Sequence, residues 1–184
     1  MNSEKPFYEV FPTYKADNDE VGGLLDDVKV YRITSTANRD IINVYFKSPR
    51  PIHRKDIWGL EKSLSRNLFP RAHVKFILHE KYELSGLYTL RTLMDTYGRS
   101  ISYELKVMSP LLFSIYQSAE KECEGNDTFL LKLQDTVVAR KEEEALLLFF
   151  DGVFNTRCGM DVHIVIDYIK AERSDEEKAA EIRV

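Results

Sequence analysis

Four histidines, two cysteines and two acidic pairs are the residues of this 184-residue chain whose types could do chemistry, and their spacing supports little of it. His53, His73, His79 and His163 form no i, i+4 pair and no HExxH, so they lack the converging spacing a zinc site needs. Asp17 with Asp19, and Asp26 with Asp27, fall in polar stretches and read as solvated acidic turns, not as the strand-end carboxylates of two-metal chemistry. No G-x-S-x-G, G-x-x-x-x-G-K-[ST] or G-x-G-x-x-G occurs, which disfavours nucleotide hydrolysis through the usual phosphate loops. Cys123 and Cys158 are too few for a disulfide framework or a thiolate metal site and fit a reducing compartment. We expect no catalytic residue, metal or cofactor in this chain, and no small-molecule substrate.

Charge carries more information than chemistry. Between Lys47 and Lys75 lie eight Lys or Arg against only Asp56 and Glu61, a local +6 on a chain whose net charge is −4. Such asymmetry points to an anionic partner, either DNA or an acidic protein surface, and the plain alternative is a solvated basic helix face. The candidate interaction surface is Lys47, Arg50, Arg54, Lys55, Trp58, Lys62 and Arg66. Trp58, the only tryptophan, falls beside the apolar stripe of its predicted helix, as a core margin or an interface anchor would. His53-Arg54-Lys55 and Arg140-Lys141 both place cations in a predicted first helical turn, where the dipole favours anions by ~0.3–1 kcal/mol. Asp56 and Glu142 to Glu144 offset them at once; a phosphate contact and a self-neutralised surface are the two readings.

The elements that must position these groups occur twice. A strand, a basic turn, an amphipathic helix and an alternating strand run from Ile41 to Tyr82 and again from Phe129 to Tyr168. In the first copy, Val28 to Thr34 and Asp40 to Lys47 alternate about Thr36-Ala37-Asn38-Arg39 and predict a hairpin. A helix follows from about His53 to Leu68, with Ile57, Leu60, Leu64 and Leu68 on one stripe, and then a strand with Val74, Phe76 and Leu78 inward. Leu87, Leu90, Met94, Tyr97 and Ile101 predict a helix weakened at Gly98; Ser109-Pro110 starts another. Glu120 to Asp127 reads as a charged turn, Phe129 to Gln134 as a strand, and Ala139 to Phe154 as one helix. The apolar run from Ala145 to Phe150 would be buried on two sides of that helix, one by its own sheet and the other by the first module or a partner.

The chain therefore reads as α+β, two small α/β modules, β-β-α-β and α-α-β-α-β. Residues 1–23 form an aromatic arm docking on the core, 24–84 the first module, 85–170 the second, and 171–184 a linker or tail toward further domains after Val184. No stretch nears the roughly 18 consecutive apolar residues of a membrane span, and no positively charged leader opens the chain, which suggests a cytoplasmic protein with no membrane partner.

Seven segments in this order carry a family resemblance. They are Phe7-Tyr8-Glu9-Val10-Phe11-Pro12, Ile52-His53-Arg54-Lys55, Leu68-Phe69-Pro70, Glu80-Lys81-Tyr82-x-Leu84-Ser85, Ser109-Pro110, Asp135-Thr136-Val137-Val138-Ala139-Arg140 and Phe154-Asn155-x-Arg157-Cys158-Gly159. Across about residues 5–170 the chain resembles the amino-terminal region of the PolC-type DNA polymerase III α subunit. That resemblance implies a non-catalytic part of a replicative polymerase that also has exonuclease activity. It implies a first module similar to the polymerase-binding domain of the clamp-loader tau subunit, a KH-like second module, and docking of replisome components such as tau. Module two has no Gly-x-x-Gly, the loop by which KH domains grip nucleic acid, so direct clamping is not expected of it.

Overall fold

Alternation along residues 28–48 places Val28, Val30, Val44 and Phe46 on one side of a hairpin, and burying that side sets the register of the first sheet. The computed structural model describes residues 4–170; the expected tail at 171–184 and the first three residues of the arm lie outside them. Strands β1 (Lys5–Pro6), β2 (Lys29–Ser35), β3 (Ile41–Ser48) and β4 (Lys75–Tyr82) form a sheet in that order, antiparallel until β3 and β4, which are parallel. The crossover between those two is α3 (Arg54–Leu68), whose Ile57, Leu60 and Leu64 are buried. Between β1 and β2 come α1 (Phe7–Val10) and α2 (Asp19–Leu25). Phe7, Phe11 and Tyr14 are buried, with Phe11 6.2 Å from Phe76 and the Tyr14 hydroxyl 3.1 Å from Ser63 Oγ. The aromatic segment is thus woven into the first sheet and its core.

Helix α4 (Leu90–Met108) runs unbroken through Gly98 and packs on both α3 and α5 (Pro110–Ser118). Thr89 and Thr92 close its start as a capping box, and Ser109 caps α5 ahead of Pro110. Leu87, expected on the helical stripe, lies outside α4 and is exposed.

The second sheet is β5 (Glu120–Glu124), β6 (Thr128–Gln134) and β7 (His163–Ile169), antiparallel then parallel. Here the expectation from sequence needs correction. The stretch expected to be a charged turn is mostly a strand, and the turn is only Gly125 to Asp127, with Gly125 at φ 60°. Its pairing is hard to see in sequence because an edge strand rich in glutamate resists pairing with other chains and carries few apolar residues. With β5 added, the second unit is also β-β-α-β, preceded by α4 and α5. The helix expected from Ala139 to Phe154 is three pieces: α6 (Val137–Lys141), α7 (Glu143–Asp151) and a π turn (Gly152–Arg157). Ala139 and Leu146 are seven residues apart, so the apolar phase resumes across the break and periodicity cannot detect it. Arg140 and Lys141 consequently sit in the last turn of α6, not in a first turn. Leu146, Phe150, Val153 and Phe154 are buried, whereas Leu148 is 66% exposed, so α7 is covered on one side only.

Candidate functional site

The six cations of the candidate surface and Trp58 are divided among three places. Lys47, at the end of β3, bonds Glu4 and Glu83, the latter at 2.7 Å. Arg50 reaches Asp27 at 2.9 Å and the Gly23 carbonyl at 3.1 Å. Both cations are balanced by acids from outside the basic segment, which a count along the segment cannot see. Lys55, Trp58, Lys62 and Arg66 recur at helical spacing on α3, with the three cations exposed. Arg66 donates to both Asp17 oxygens at 3.1 and 3.2 Å. Lys62 and Arg66 also border a shallow depression of about 550 Å³ with Phe69, His73 and Lys75.

Arg54 belongs to a different structure, the junction between the units. Its Nη1 donates to both Glu80 oxygens at 2.6 and 2.7 Å, and its guanidinium lies 5.3 Å from the Trp58 ring centroid. Arg157, delivered by the π turn, donates to Glu104 at 2.7 and 2.8 Å, and its Nε lies 3.1 Å from Glu80. The side chains of Glu80 and Glu104 are 3% and 5% exposed. Two cations and two carboxylates from α3, β4, α4 and the π turn thus neutralise one another in a nearly dry site. Burial opposes the charge on Arg157, but the Glu104 hydrogen bonds and the field of Glu80 more than offset it and raise its pKa. The N-terminus of α3 is covered here too. The Arg54 amide donates to Ser100 Oγ at 2.8 Å and the Lys55 amide to His53 Nδ1 at 3.1 Å, so these amides are engaged within the chain.

Glu80, Glu104 and Arg157 are missed by residue type and spacing alone, although a signal exists. Glu80 occupies the inward phase of β4 after Phe76 and Leu78, and Glu104 follows Tyr97 and Ile101 on the buried stripe of α4. A carboxylate in an apolar phase demands a cation. Elsewhere the chemistry-bearing residues stay apart: His53 caps α3, His73 lies in the loop before β4, His79 is on β4 and His163 on β7, and among the described residues no group of three could hold a metal. Burial raises the Cys123 thiol and pushes the Cys158 thiol up to about 12, so neither is poised as a thiolate. Among the described residues no helix is long and apolar enough to cross a membrane.

A family match falls on the first unit. No curated protein and no solved structure matches the chain. The family model described as DNA polymerase III polC-type N-terminus I matches residues 6–78, which take in β1 to β3, α3 and the first half of β4 and stop just short of Glu80. Over residues 6–78 the chain is therefore similar to the amino-terminal domain of the polC-type DNA polymerase III α subunit, a family of DNA replication.

Proposed function

We propose that the chain is a non-catalytic interaction region of the replicative polymerase, docking a replisome component, with the clamp-loader tau subunit as the partner implied by the family resemblance. The observation that carries this reading is the uncovered side of the second unit's helices: Val137, Val138 and Leu148 are 86, 47 and 66% exposed. The first unit meets the π turn through Arg157 and leaves Leu148 bare, which supports a partner on that side. A KH-like reading of the second unit rests on the order α5-β5-β6-α6-α7-β7. Its α6–α7 turn holds Lys141-Glu142-Glu143 where a KH clamp would need glycines, which favours protein contact over nucleic-acid grip.

Calorimetry with the carboxy-terminal region of tau tests the reading. Binding at micromolar concentration, abolished in Val137→Asp/Leu148→Asp with unchanged Tm, supports it; a folded chain that binds no tau overturns the choice of partner. A second reading, a nucleic-acid surface in the 47–75 segment, rests on Lys55, Lys62 and Arg66 sharing an exposed side of α3 beside His73 and Lys75. Lys55→Glu/Lys62→Glu should then weaken DNA binding and flatten its salt dependence; an unchanged salt slope removes that site.

A further inference from the structure

The outer side of the first sheet, opposite α3, carries a pattern that neither reading uses. Ladder register places Arg32, Tyr45 and His79 in one row across β2, β3 and β4, and Lys29, Lys47 and Lys81 in the next. The Arg32 guanidinium lies 5.1 Å from the Tyr45 centroid, and the Tyr45 and His79 rings stack at 4.4 Å with a 13° interplanar angle. Tyr31 stands 6.2 Å from Tyr45, with Lys47 Nζ 5.8 Å from its centroid. The row ends at His79, because β4 is the last strand of the sheet. His79 Nε2 is held 3.0 Å from Asn43 Oδ1, which fixes the ring in the stacking orientation.

Charge complements this row. Lys47 is taken up by Glu4 and Glu83, but Arg32, Lys75 and Lys81 are exposed and make no ion pair among the described residues. No Asp or Glu occupies an outward position within β2, β3 or β4. The second sheet supplies an internal control, since the same strand order there turns Glu120, Glu122, Glu124 and Asp167 outward with Lys132 and His163. An open π stack flanked by unpaired cations suits an unpaired base with phosphates on either side. Apolar protein segments have no use for the cations, and duplex DNA offers no free base face.

We propose that the outer face of the first sheet binds single-stranded DNA, one base extending the Arg32–Tyr45–His79 stack past the sheet edge while Arg32, Lys75 and Lys81 contact the backbone. The site lies on the side of the sheet opposite α3; it does not depend on tau docking, and of the cations in the 47–75 reading it shares only Lys75, so Arg32, His79 and Lys81 distinguish the two. The test is fluorescence anisotropy of the 184-residue chain with fluorescein-labelled oligo-dT across a salt series. Micromolar binding is expected, weakened about tenfold by His79→Ala because the stacking platform is shortened. Arg32→Glu/Lys81→Glu should flatten the salt slope by roughly 0.7 for each phosphate that is no longer neutralised. Lys15→Glu, an exposed charge reversal in the arm, controls for non-specific attraction, and circular dichroism confirms folding of each variant. The proposal is overturned if oligo-dT does not bind, if His79→Ala and Arg32→Glu/Lys81→Glu bind no more weakly than Lys15→Glu, or if duplex DNA binds as well as the single strand.

Discussion

The two sheets share a strand order and present opposite chemistry to solvent. In each, an antiparallel hairpin leads through a helical crossover to a parallel third strand. The shared part is written in inward positions, Val44, Phe46, Phe76 and Leu78 in one and Phe129, Leu131 and Leu133 in the other. Outward positions are free of that constraint, and there the first sheet is cationic and aromatic while the second is acidic. A repeated scaffold thus carries two different surfaces, set by residues that contribute little to folding. The copies are joined by the Arg54–Glu80–Arg157–Glu104 cluster and, beside it, by apolar packing of α4 on α3.

Breaking that cluster should have the largest effect. Arg157→Met strips the nearly buried Glu104 of both its short hydrogen bonds and leaves Arg54 alone to balance two carboxylates, a destabilisation of about 3–5 kcal/mol, read as a lower urea midpoint. Arg157→Met/Glu104→Leu should recover part of that stability, because the removed charge no longer leaves Glu104 unpaired. A single variant within about 1 kcal/mol of the parent would show that the units are joined by apolar packing instead.

Core truncation comes next and asks whether the units unfold together. Leu131→Ala in β6 should cost about 2–5 kcal/mol. Trp58, the only tryptophan, lies on α3 at 5.6 Å from Tyr103 of α4 and reports on the first unit. If the charge cluster couples the units, the Trp58 fluorescence midpoint falls with the far-ultraviolet circular dichroism midpoint. If the fluorescence midpoint stays fixed, the comparison sharpens to two separately stable units.

How much of this is legible in sequence depends on period and partner. The hairpin, α3, β4, β6 and β7 follow from alternation or helical spacing because their apolar residues share one phase. Strand β5 escapes detection because its outward residues are glutamates and its inward ones are Lys121 and Cys123, leaving no apolar alternation. Residue type finds the candidate cations but not their partners: Glu4, Asp17, Asp27 and Glu80 are 43, 49, 23 and 26 positions away from Lys47, Arg66, Arg50 and Arg54. A linear count of charge measures composition, whereas availability depends on folding. The same limit hides the Arg32–Tyr45–His79 row, whose members are brought together only by strand register.

The smallest expected effect concerns how each sheet finishes its parallel edge. In the first, α3 reaches over β4: Glu61 Oε1 accepts the Leu78 amide at 2.9 Å and Ser65 Oγ the Phe76 amide at 3.3 Å. Among the described residues no side chain of α6 or α7 does this for β7. The arrangement at β4 puts a carboxylate in a half-buried place, and burial raises the Glu61 pKa above its ordinary value of 4.5. A raised folded value means the folded state holds the proton more tightly. Its contribution to stability is therefore complete below 4.5 and is lost as pH rises through the folded value. Glu61→Gln keeps an oxygen acceptor for the Leu78 amide and removes the buried charge. It should raise Tm slightly at pH 7, by less than the shifts expected of the variants above, and the advantage should fade as pH falls through the raised folded value and be gone below about 4.5. A Glu61→Gln chain less stable than the parent at pH 7 would mean that the ionised carboxylate strengthens the Leu78 bond by more than its desolvation costs, making edge capping on the first sheet a charged device.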